Sequence, residues 1–181
     1  MEALLVVDLQ NDFCPGGALA VPGGDRIVPV VNELLEQFEL VVASKDWHPA
    51  DTVHFESWPE HCLQQSEGAE FHPALEDKKI DKVFYKGTKD KDDGYSAFEA
   101  TNLDLENYLR ERNVATLFIT GLALEYCVKE TALAAASRGF EVYLVEDATA
   151  GIDKGDIQIA VSEMKEAGVK LVSSREILGY N

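Results

Sequence analysis

The chain is short of basic residues, and this shortage excludes one broad class of partner. It carries 16 lysines and arginines against 33 aspartates and glutamates, which gives a formal net charge of −17 at pH 7. No cluster of lysines or arginines offsets this excess. Because nucleic acids and anionic membrane surfaces recruit proteins through clustered positive charge, we expect this protein to bind neither of them.

Long apolar runs are also missing. None approaches the roughly 20 residues that a membrane-spanning helix requires. The first residues lack the basic start and the small-residue cleavage site of a signal peptide. The sequence therefore predicts a cytoplasmic protein.

Cysteine is scarce, since the chain holds only Cys14, Cys62 and Cys127. An odd number in a chain of predicted cytoplasmic location argues against a disulfide framework. Each cysteine is then a small core residue, a reactive thiol or a metal ligand. An inert buried thiol is the default for any one of them.

What the chain does contain suits one folded domain. Its 181 residues are 46% hydrophobic, which is enough for one substantial core. No internal repeat, low-complexity tract or linker interrupts the sequence. We therefore expect a single domain over residues 1–181.

Short apolar runs alternate with helical patterns along this domain. Most runs are continuous and rich in Val, Ile or Leu, as strands buried on both faces should be. The predicted strands are 3–7, 40–43, 82–85, 116–120, 141–145 and 169–172. Apolar residues at helical spacing predict helices within 27–38, 105–109, 128–137 and 157–164. This alternation predicts an α/β fold: a three-layer sandwich in which a mostly parallel six-stranded sheet carries helices on both faces.

One connection breaks the pattern. Residues 44–81 show no convincing helical stripe and instead hold both tryptophans and all four histidines. Long irregular loops in compact domains are usually functional or disordered, and this aromatic content argues against disorder. We therefore expect the loop to contribute to a functional site.

Polar residues follow four of the predicted strands. Asp8 follows the first strand and Lys86 the third. Asp46 and His48 follow the second strand, and the segment that carries Cys127 follows the fourth. Because ligands of open parallel sheets bind beyond the carboxyl ends of the strands, the sequence predicts a single active site at this edge.

Cys127 is placed to act as a nucleophile. It opens the helix predicted from Val128, where unpaired backbone N–H groups and the helix dipole stabilise the reactive thiolate. The same N–H groups can hold the oxyanion of a tetrahedral intermediate. Position alone supports equally well the alternative that Cys127 only packs the helix start against the sheet.

Asp8 and Lys86 supply what a thiol nucleophile needs. A carboxylate can take the thiol proton, and an ammonium group can favour the thiolate. The alternatives are that Asp8 caps backbone amides of the following loop and that Lys86 is an ordinary surface lysine.

A second cluster has the composition of a metal site. Asp46 and His48 are two residues apart, so their side chains project to the same side of an extended segment. One more histidine, such as His54 or His61, would complete a three-ligand set with open positions. Spacing alone leaves open that these are loop histidines bonded to backbone, because no HExxH or CxxC framework is present.

The motifs around these residues resemble one family over essentially the whole chain, the nicotinamidases (pyrazinamidases) of the isochorismatase-like cysteine hydrolases. The matching segments are VDLQNDFC at 7–14 with GG at 16–17, KDWH at 45–48, WPEHC at 58–62, FHP at 71–73, FYKG at 84–87 and GLALEYCV at 121–128. The resemblance implies hydrolysis of nicotinamide to nicotinate and ammonia through a cysteine thioester, as a step of NAD salvage. Pyrazinamide is a further substrate that it implies.

The resemblance also implies the roles of the site residues. It assigns the catalytic triad to Asp8, Lys86 and Cys127. It assigns the metal ligands to Asp46, His48 and His61, with His54 as a fourth ligand or a water-mediated neighbour. The ion is divalent; a mixed carboxylate and imidazole set suits Zn best, and Fe or Mn would also fit.

Two further features of the pocket are implied in the same way. A cis peptide bond between Leu122 and Ala123 would direct the backbone N–H of Ala123 into an oxyanion hole beside that of Cys127. The side chains that match ring-binding positions are Phe13, Leu19, Trp58 and Tyr95. For each aromatic residue the alternative is ordinary core packing. The oligomeric state is left open, and a homo-oligomer is compatible with the family.

The residues before the nucleophile depart from the family pattern. Many relatives have Thr-Asp-Tyr or Thr-Asp-His there, whereas this chain has Leu124-Glu125-Tyr126. Glu125 keeps the negative charge, and Leu124 lacks a hydroxyl that can cap the following helix.

Three other functions occur on such a fold, and particular residues argue against each. Isochorismatases do not use a cysteine, so Cys127 disfavours them. Carbamoyl-amide and ureide hydrolases keep the triad but generally lack the metal cluster. A non-catalytic binding protein would have no use for an activated thiol, although the fold alone does not exclude one.

Overall fold

The structure, a computed structural model, describes residues 1–91 and 93–180. Its strands are β1 (Glu2–Val7), β2 (Val41–Asp46), β3 (Lys82–Lys86), β4 (Thr116–Gly121), β5 (Glu141–Thr149) and β6 (Lys170–Val172). Its α-helices are α1 (Val28–Leu35), α2 (Leu105–Glu111), α3 (Lys129–Ser137), α4 (Lys154–Glu166) and α5 (Ser174–Leu178). The six strands form one sheet in the order β3-β2-β1-β4-β5-β6, and every neighbouring pair is parallel.

The side chains of β1 explain why this strand lies at the centre of the sheet. Ala3, Leu5 and Val7 are fully buried in one hydrophobic cluster. Leu4 and Val6 are fully buried in a second cluster. Because alternate side chains of a strand point to opposite faces, the two clusters are the two faces of the sheet, and each must be covered.

Helices cover both faces. Leu105 of α2, Ala132 of α3 and Met164 of α4 pack into the first cluster. Val31 of α1 and Ile177 of α5 pack into the second. The predicted three-layer α/β sandwich is therefore confirmed, with a sheet that is parallel throughout the described residues. None of the described helices is long and apolar enough to cross a membrane.

Several element boundaries differ from the prediction. Asp46 and Lys86 are the last residues of β2 and β3 rather than the first residues of loops. The first helix covers only Val28–Leu35 of the predicted 27–38, because a 3-10 turn, Gly24–Ile27, precedes it. Helix α5 is not among the predicted helices, although its amino-terminal capping box of Ser173 and Glu176 is a recognisable sequence signal.

The long connection after β2 contains no α-helix within its described residues, as predicted. It holds short 3-10 turns instead, at Val53–Glu56, Glu67–Ala69 and Asp77–Lys79. The buried side chain of Gln10 fixes the connection to the sheet edge: its Nε2 donates to the carbonyl oxygens of Asp46 (2.8 Å) and Ala69 (2.9 Å). The connection is therefore an ordered part of the site edge.

The strand order creates a crevice between β1 and β4. From β1 the chain moves to β2 and β3, and β4 then returns to the other side of β1. The loops that leave the carboxyl ends of β1 and β4 therefore diverge, which opens a binding crevice in sheets of this type. Asp8 leaves β1 at this point, and the segment that carries Cys127 leaves β4.

Gly121, the last residue of β4, allows the two central strands to approach at this crevice. Its φ is +113°, and a Cβ added there would lie 1.9 Å from the carbonyl oxygen of Val7. We expect Gly121→Ala to lower the free energy of unfolding by about 3 kcal/mol, the sum of a left-handed backbone cost and a steric clash. Urea denaturation would measure it.

Gly139 provides the matched control. Its φ is +80°, but a Cβ there would have no atom within 4 Å. Gly139→Ala should therefore lose only the backbone contribution, about 1–2 kcal/mol. Equal losses in the two variants would contradict the close approach of the strands at Gly121.

Candidate active site

The carboxylate of Asp8 is held from both sides in the interior. Asp8 follows β1 with a left-handed φ of 48°, a conformation that aspartate tolerates better than most residues. Its Oδ1 accepts a hydrogen bond from Ser44 Oγ at 2.7 Å. Lys86 Nζ lies 2.8 Å from Oδ2 but outside hydrogen-bonding geometry, so Oδ2 accepts no hydrogen bond from the described residues. Oδ2 therefore has a lone pair available for a proton.

Lys86 ends β3 and reaches across the end of β2 with a fully buried side chain. Its ammonium donates to Asp46 Oδ1 and to the carbonyl oxygen of Gly94 (2.7 Å), and it lies 3.4 Å from Cys127 Sγ. Burial alone would lower the pKa of Lys86, but the charges of Asp46 and Asp8 raise it well above its ordinary value. Lys86 is thus a permanent cation in this site and not a proton acceptor.

Cys127 lies in a π-helical turn, Leu124–Val128, between β4 and α3, with 8% of its surface exposed. Burial raises the pKa of its thiol well above the ordinary value, and the opposing effect of Lys86 is countered by the negative charges of Asp8 and Asp46. The low pKa that a helix start and a nearby lysine would favour is therefore not found. The resting thiol is protonated, so an attack by sulfur requires a base.

The sequence-predicted triad residues thus lie together, and so do the predicted metal ligands. One ring nitrogen each of His48, His54 and His61 lies within 4.8 Å of the others, and all three side chains are buried. Asp46 Oδ2 lies 3.5 Å from His48 Nε2 and 3.8 Å from His61 Nε2. Three imidazoles therefore lie together, and a carboxylate oxygen of Asp46 adjoins two of them.

In two histidines a hydrogen bond at Nδ1 leaves Nε2 available to bind a metal. His48 Nδ1 lies 2.9 Å from the carbonyl oxygen of Gly87, and His61 Nδ1 lies 2.7 Å from that of Pro59. A carbonyl oxygen only accepts, so each Nδ1 carries the proton and each Nε2 keeps a free lone pair. His48 Nε2 is buried and has no hydrogen-bond partner among the described residues, which is uncommon for a buried polar atom. This donor set fits a divalent metal ion.

Asp46 belongs to both groups of residues. Its Oδ1 accepts from Lys86, and its Oδ2 faces the histidines. Burial alone would raise the pKa of Asp46, but the charge of the Lys86 ammonium outweighs it and holds the pKa well below its ordinary value. Asp46 is therefore an ionised carboxylate that could act as a metal ligand.

One pocket joins the two groups: Cys127 lines it together with Asp46 and the three histidines, and the predicted Phe13, Leu19, Trp58 and Tyr95 line it as well. Trp58 Nε1 donates to the Tyr95 hydroxyl at 3.0 Å. The ring of Trp58 also meets the edge of Tyr126 with centroids 5.1 Å apart. This aromatic wall has a fixed orientation and suits a flat ring.

Sequence reasoning missed several lining residues. They are Val21, Asp93, Gly94, Tyr126 and Ile152. Tyr126 has a usable signal, because it directly precedes Cys127. Ile152 follows β5 and therefore lies at the sheet edge where sites form, but its residue type alone gives no reason to single it out.

The peptide bond between Leu122 and Ala123 is cis, as the family resemblance implies. Ala123 lines the pocket together with Cys127. All three cysteines are free thiols, in agreement with the expected lack of disulfides.

The parallel sheet brings a buried thiol, a carboxylate and an ammonium group together at its carboxyl edge. A comparison with known protein families agrees with this arrangement. The chain belongs to the isochorismatase family, whose Isochorismatase domain model matches residues 2–176. Within it, the chain is 40% identical to the nicotinamidase of Acinetobacter baylyi, over 97% of this chain and 94% of that protein. It is 42% identical to the nicotinamidase of Escherichia coli, over 94% of this chain and 93% of that protein. The crystal structure of a pyrazinamidase of Pyrococcus horikoshii in complex with zinc superposes with a TM-score of 0.88 at 46% identity, covering 95% of this chain and 98% of that one.

The histidine cluster generates a prediction about metal content. His48→Ala and His61→Ala should each lower the affinity for a divalent metal by more than about tenfold, since even the loss of an outer-shell partner costs that much. Metal-to-protein ratios after dialysis, and calorimetric titration with Zn²⁺, would measure it.

His72 is the control for a non-specific effect of losing a histidine. Its Nδ1 accepts from the backbone N–H of Ala74, and it is not part of the cluster. His72→Ala should keep the metal content of the unmodified protein. Full metal occupancy in both cluster variants would contradict the assignment of the ligands.

Proposed function

We propose that this protein is a nicotinamidase, which hydrolyses nicotinamide to nicotinate and ammonia as a step of NAD salvage and also accepts pyrazinamide. The observation that carries the proposal is the joining of two groups in one pocket. Cys127, Asp8 and Lys86 suit acyl transfer through a thiol, and the histidines with Asp46 suit a metal. The pocket has aromatic walls and convergent polar groups, which suit a flat pyridine ring that carries a carboxamide.

The first step forms a bond between Cys127 Sγ and the carbonyl carbon of the amide. Because burial keeps the thiol protonated, the proton moves to Asp8 as the bond forms. Oδ2 of Asp8 is the acceptor, since Ser44 already occupies Oδ1. Lys86 stays protonated throughout and stabilises negative charge on Asp8 and on the sulfur.

The tetrahedral intermediate carries its negative charge on the former carbonyl oxygen. The backbone N–H groups of Ala123 and Cys127 are the proposed donors to this oxygen, because both residues line the pocket around the sulfur. Asp8 then gives its proton to the amide nitrogen, the C–N bond breaks and ammonia leaves. The product of this half-reaction is a thioester on Cys127.

Water completes the cycle. Asp8 takes a proton from the water as its oxygen bonds to the thioester carbon, and the C–S bond then breaks. The proton returns to the sulfur, which restores the thiol, and the product leaves as nicotinic acid, which loses its remaining proton to water and becomes nicotinate. One carboxylate thus acts as acid and as base in each half-reaction.

Asp46, His48 and His61, with His54 as a fourth ligand or neighbour, are the residues that would hold the metal. When bound, the ion supplies a Lewis-acidic position that the pyridine nitrogen can occupy, which orients the ring. Zn fits this mixed ligand set best, and Fe or Mn would also fit. Phe13 and Trp58 would hold the plane of the ring, with Leu19 and Tyr95 completing the walls.

Four further expectations from the sequence stay predictions. They are the cytoplasmic location, the lack of nucleic-acid and membrane partners, the oligomeric state, for which a homo-oligomer is one option, and the single domain over residues 1–181. The acidic charge on which the second rests is −17.

The nucleophile assignment predicts a selective loss of activity. Cys127→Ala should lower kcat by at least about 1,000-fold while the protein stays folded, because no other group can form the thioester. Cys14→Ala should cost less than about tenfold, since burial and Asp25 raise the pKa of that thiol to about 11 and keep it inert. Ammonia release and thermal unfolding would be measured on the same samples. Comparable losses in the two variants would refute the assignment.

The metal assignment predicts substrate selectivity. Benzamide lacks the ring nitrogen of nicotinamide, so its kcat/KM should be at least about 100-fold lower, as expected when a polar group of the site loses its partner. Removing the metal with a chelator should abolish most of this difference by weakening nicotinamide and not by improving benzamide. Both amides would be assayed on samples of measured metal content. Full nicotinamide hydrolysis by metal-free protein would contradict the proposed role.

A further inference from the structure

The segment at residues 150–153, here called the rim loop, is tied to the turn that carries the nucleophile. The backbone N–H of Leu124 donates to the carbonyl oxygen of Ala150 at 2.8 Å. Glu125 Oε1 accepts from the backbone N–H groups of Ile152 at 2.7 Å and Asp153 at 3.0 Å. Three hydrogen bonds therefore join two segments that follow different strands, β4 and β5.

Glu125 acts as the anchor of this connection. Only 6% of its surface is exposed, and its Oε2 is buried without a hydrogen-bond partner among the described residues. A Cβ added to Gly151 would lie 2.3 Å from that oxygen, so the carboxylate sits directly on the backbone of the rim loop. A buried carboxylate in such close contact leaves the loop little freedom to move.

The other end of the rim loop is fixed as well. The side chain of Asp153 caps α4 by accepting from the backbone N–H groups of Gly155 (2.7 Å) and Asp156 (3.1 Å). The rim loop is therefore held by a buried glutamate on one side and by a helix cap on the other. The position of Ile152, between these two anchors, is set by the fold.

Ile152 presents an apolar side chain at the mouth of the pocket. It lines the same pocket as Cys127 and Ala123, yet 43% of its surface is exposed. The deeper lining residues, such as His48 and Phe13, are almost fully buried. When an apolar ring covers an exposed isoleucine at the edge of a pocket, the contact stabilises the complex, because both apolar surfaces leave water.

We propose that Ile152 is a specificity-determining residue that contacts the outer edge of the substrate ring, and that Glu125 is the positioning residue that holds it there. The inference rests on the proposed amidase function, which places a pyridine ring in this pocket. In addition to that function, the side chain of Ile152 forms an apolar wall that limits the size of the ring. This wall contacts the substrate equally in the ground state and in the transition state. Such uniform binding changes KM and leaves kcat nearly constant.

The test compares Ile152→Ala with Ile159→Ala. Ile159 is 58% exposed on α4 and does not line the substrate pocket, so it controls for the loss of an exposed isoleucine. For nicotinamide, Ile152→Ala should raise KM roughly threefold to tenfold, with kcat within about twofold. This is less than the loss of an apolar contact inside a closed pocket, because 43% of the Ile152 surface is exposed. Ile159→Ala should change neither constant.

A bulkier amide tests the limit on ring size. The ratio of kcat/KM for 5-methylnicotinamide to that for nicotinamide should rise at least about threefold in Ile152→Ala, because the removed side chain leaves room for the methyl group. The same ratio should stay constant in Ile159→Ala. Unchanged KM and unchanged ratio in Ile152→Ala would overturn the proposal.

A double-mutant cycle tests the positioning role of Glu125. Glu125→Ala should raise KM for nicotinamide in the unmodified background but by less than about twofold in the Ile152→Ala background, because its effect passes through that side chain. Glu125→Gln keeps an oxygen that accepts both N–H groups and should retain most of the original KM. Equal effects of Glu125→Ala in both backgrounds would remove the positioning role.

The two levels of the proposal fail in different ways. Metal-loaded wild-type protein that releases no ammonia from nicotinamide would overturn the proposed function and this inference together. An active wild type whose KM and substrate ratio are both the same after Ile152→Ala would overturn the inference alone. Thermal unfolding of each variant would show that the comparison is made on folded protein.

Discussion

The arrangement of the site depends on one buried cation, Lys86, held between two buried carboxylates. An unpaired charge in the interior costs several kcal/mol, so Lys86 can be buried only because Asp8 and Asp46 flank it. These three residues come from the ends of β1, β2 and β3, and the ion pairs therefore fix the ends of three adjacent strands against one another. The same ammonium group lies 3.4 Å from the Cys127 sulfur. The position of the Lys86 ammonium group is therefore coupled to the positions of the nucleophile Cys127, the base Asp8 and the metal ligand Asp46.

Asp46 makes the two halves of the site interdependent. One of its oxygens accepts from Lys86 and the other faces the imidazoles of His48 and His61. A substitution at Asp46 would leave Lys86 with a single counter-ion and the histidines without their carboxylate. The triad and the metal site are therefore one electrostatic unit, and a measured effect on either half has to be interpreted with the other in view.

Local pattern predicted the central part of this arrangement correctly. Strands buried on both faces are continuous apolar runs, and the polar residue that follows each run marks the carboxyl edge of the sheet. For that reason Asp8, Lys86 and Cys127 could be expected at one edge. The pattern does not fix where a strand stops, and Asp46 and Lys86 are the last residues of β2 and β3 because their backbones still pair with the neighbouring strand. Helix α5 was missed since five residues are too few for a periodic signal.

Properties that depend on desolvation could not be predicted from the sequence. A helix start and a neighbouring lysine both favour a thiolate, but the sequence does not tell how deeply Cys127 is buried, and burial with two carboxylates nearby gives a protonated thiol instead. Glu125 is a similar case, because a glutamate is normally a surface residue. Here it is buried against the backbone of a loop that lies far away in the sequence. Strand ends bring the reactive groups together, and contacts between distant loops decide the environment in which those groups react.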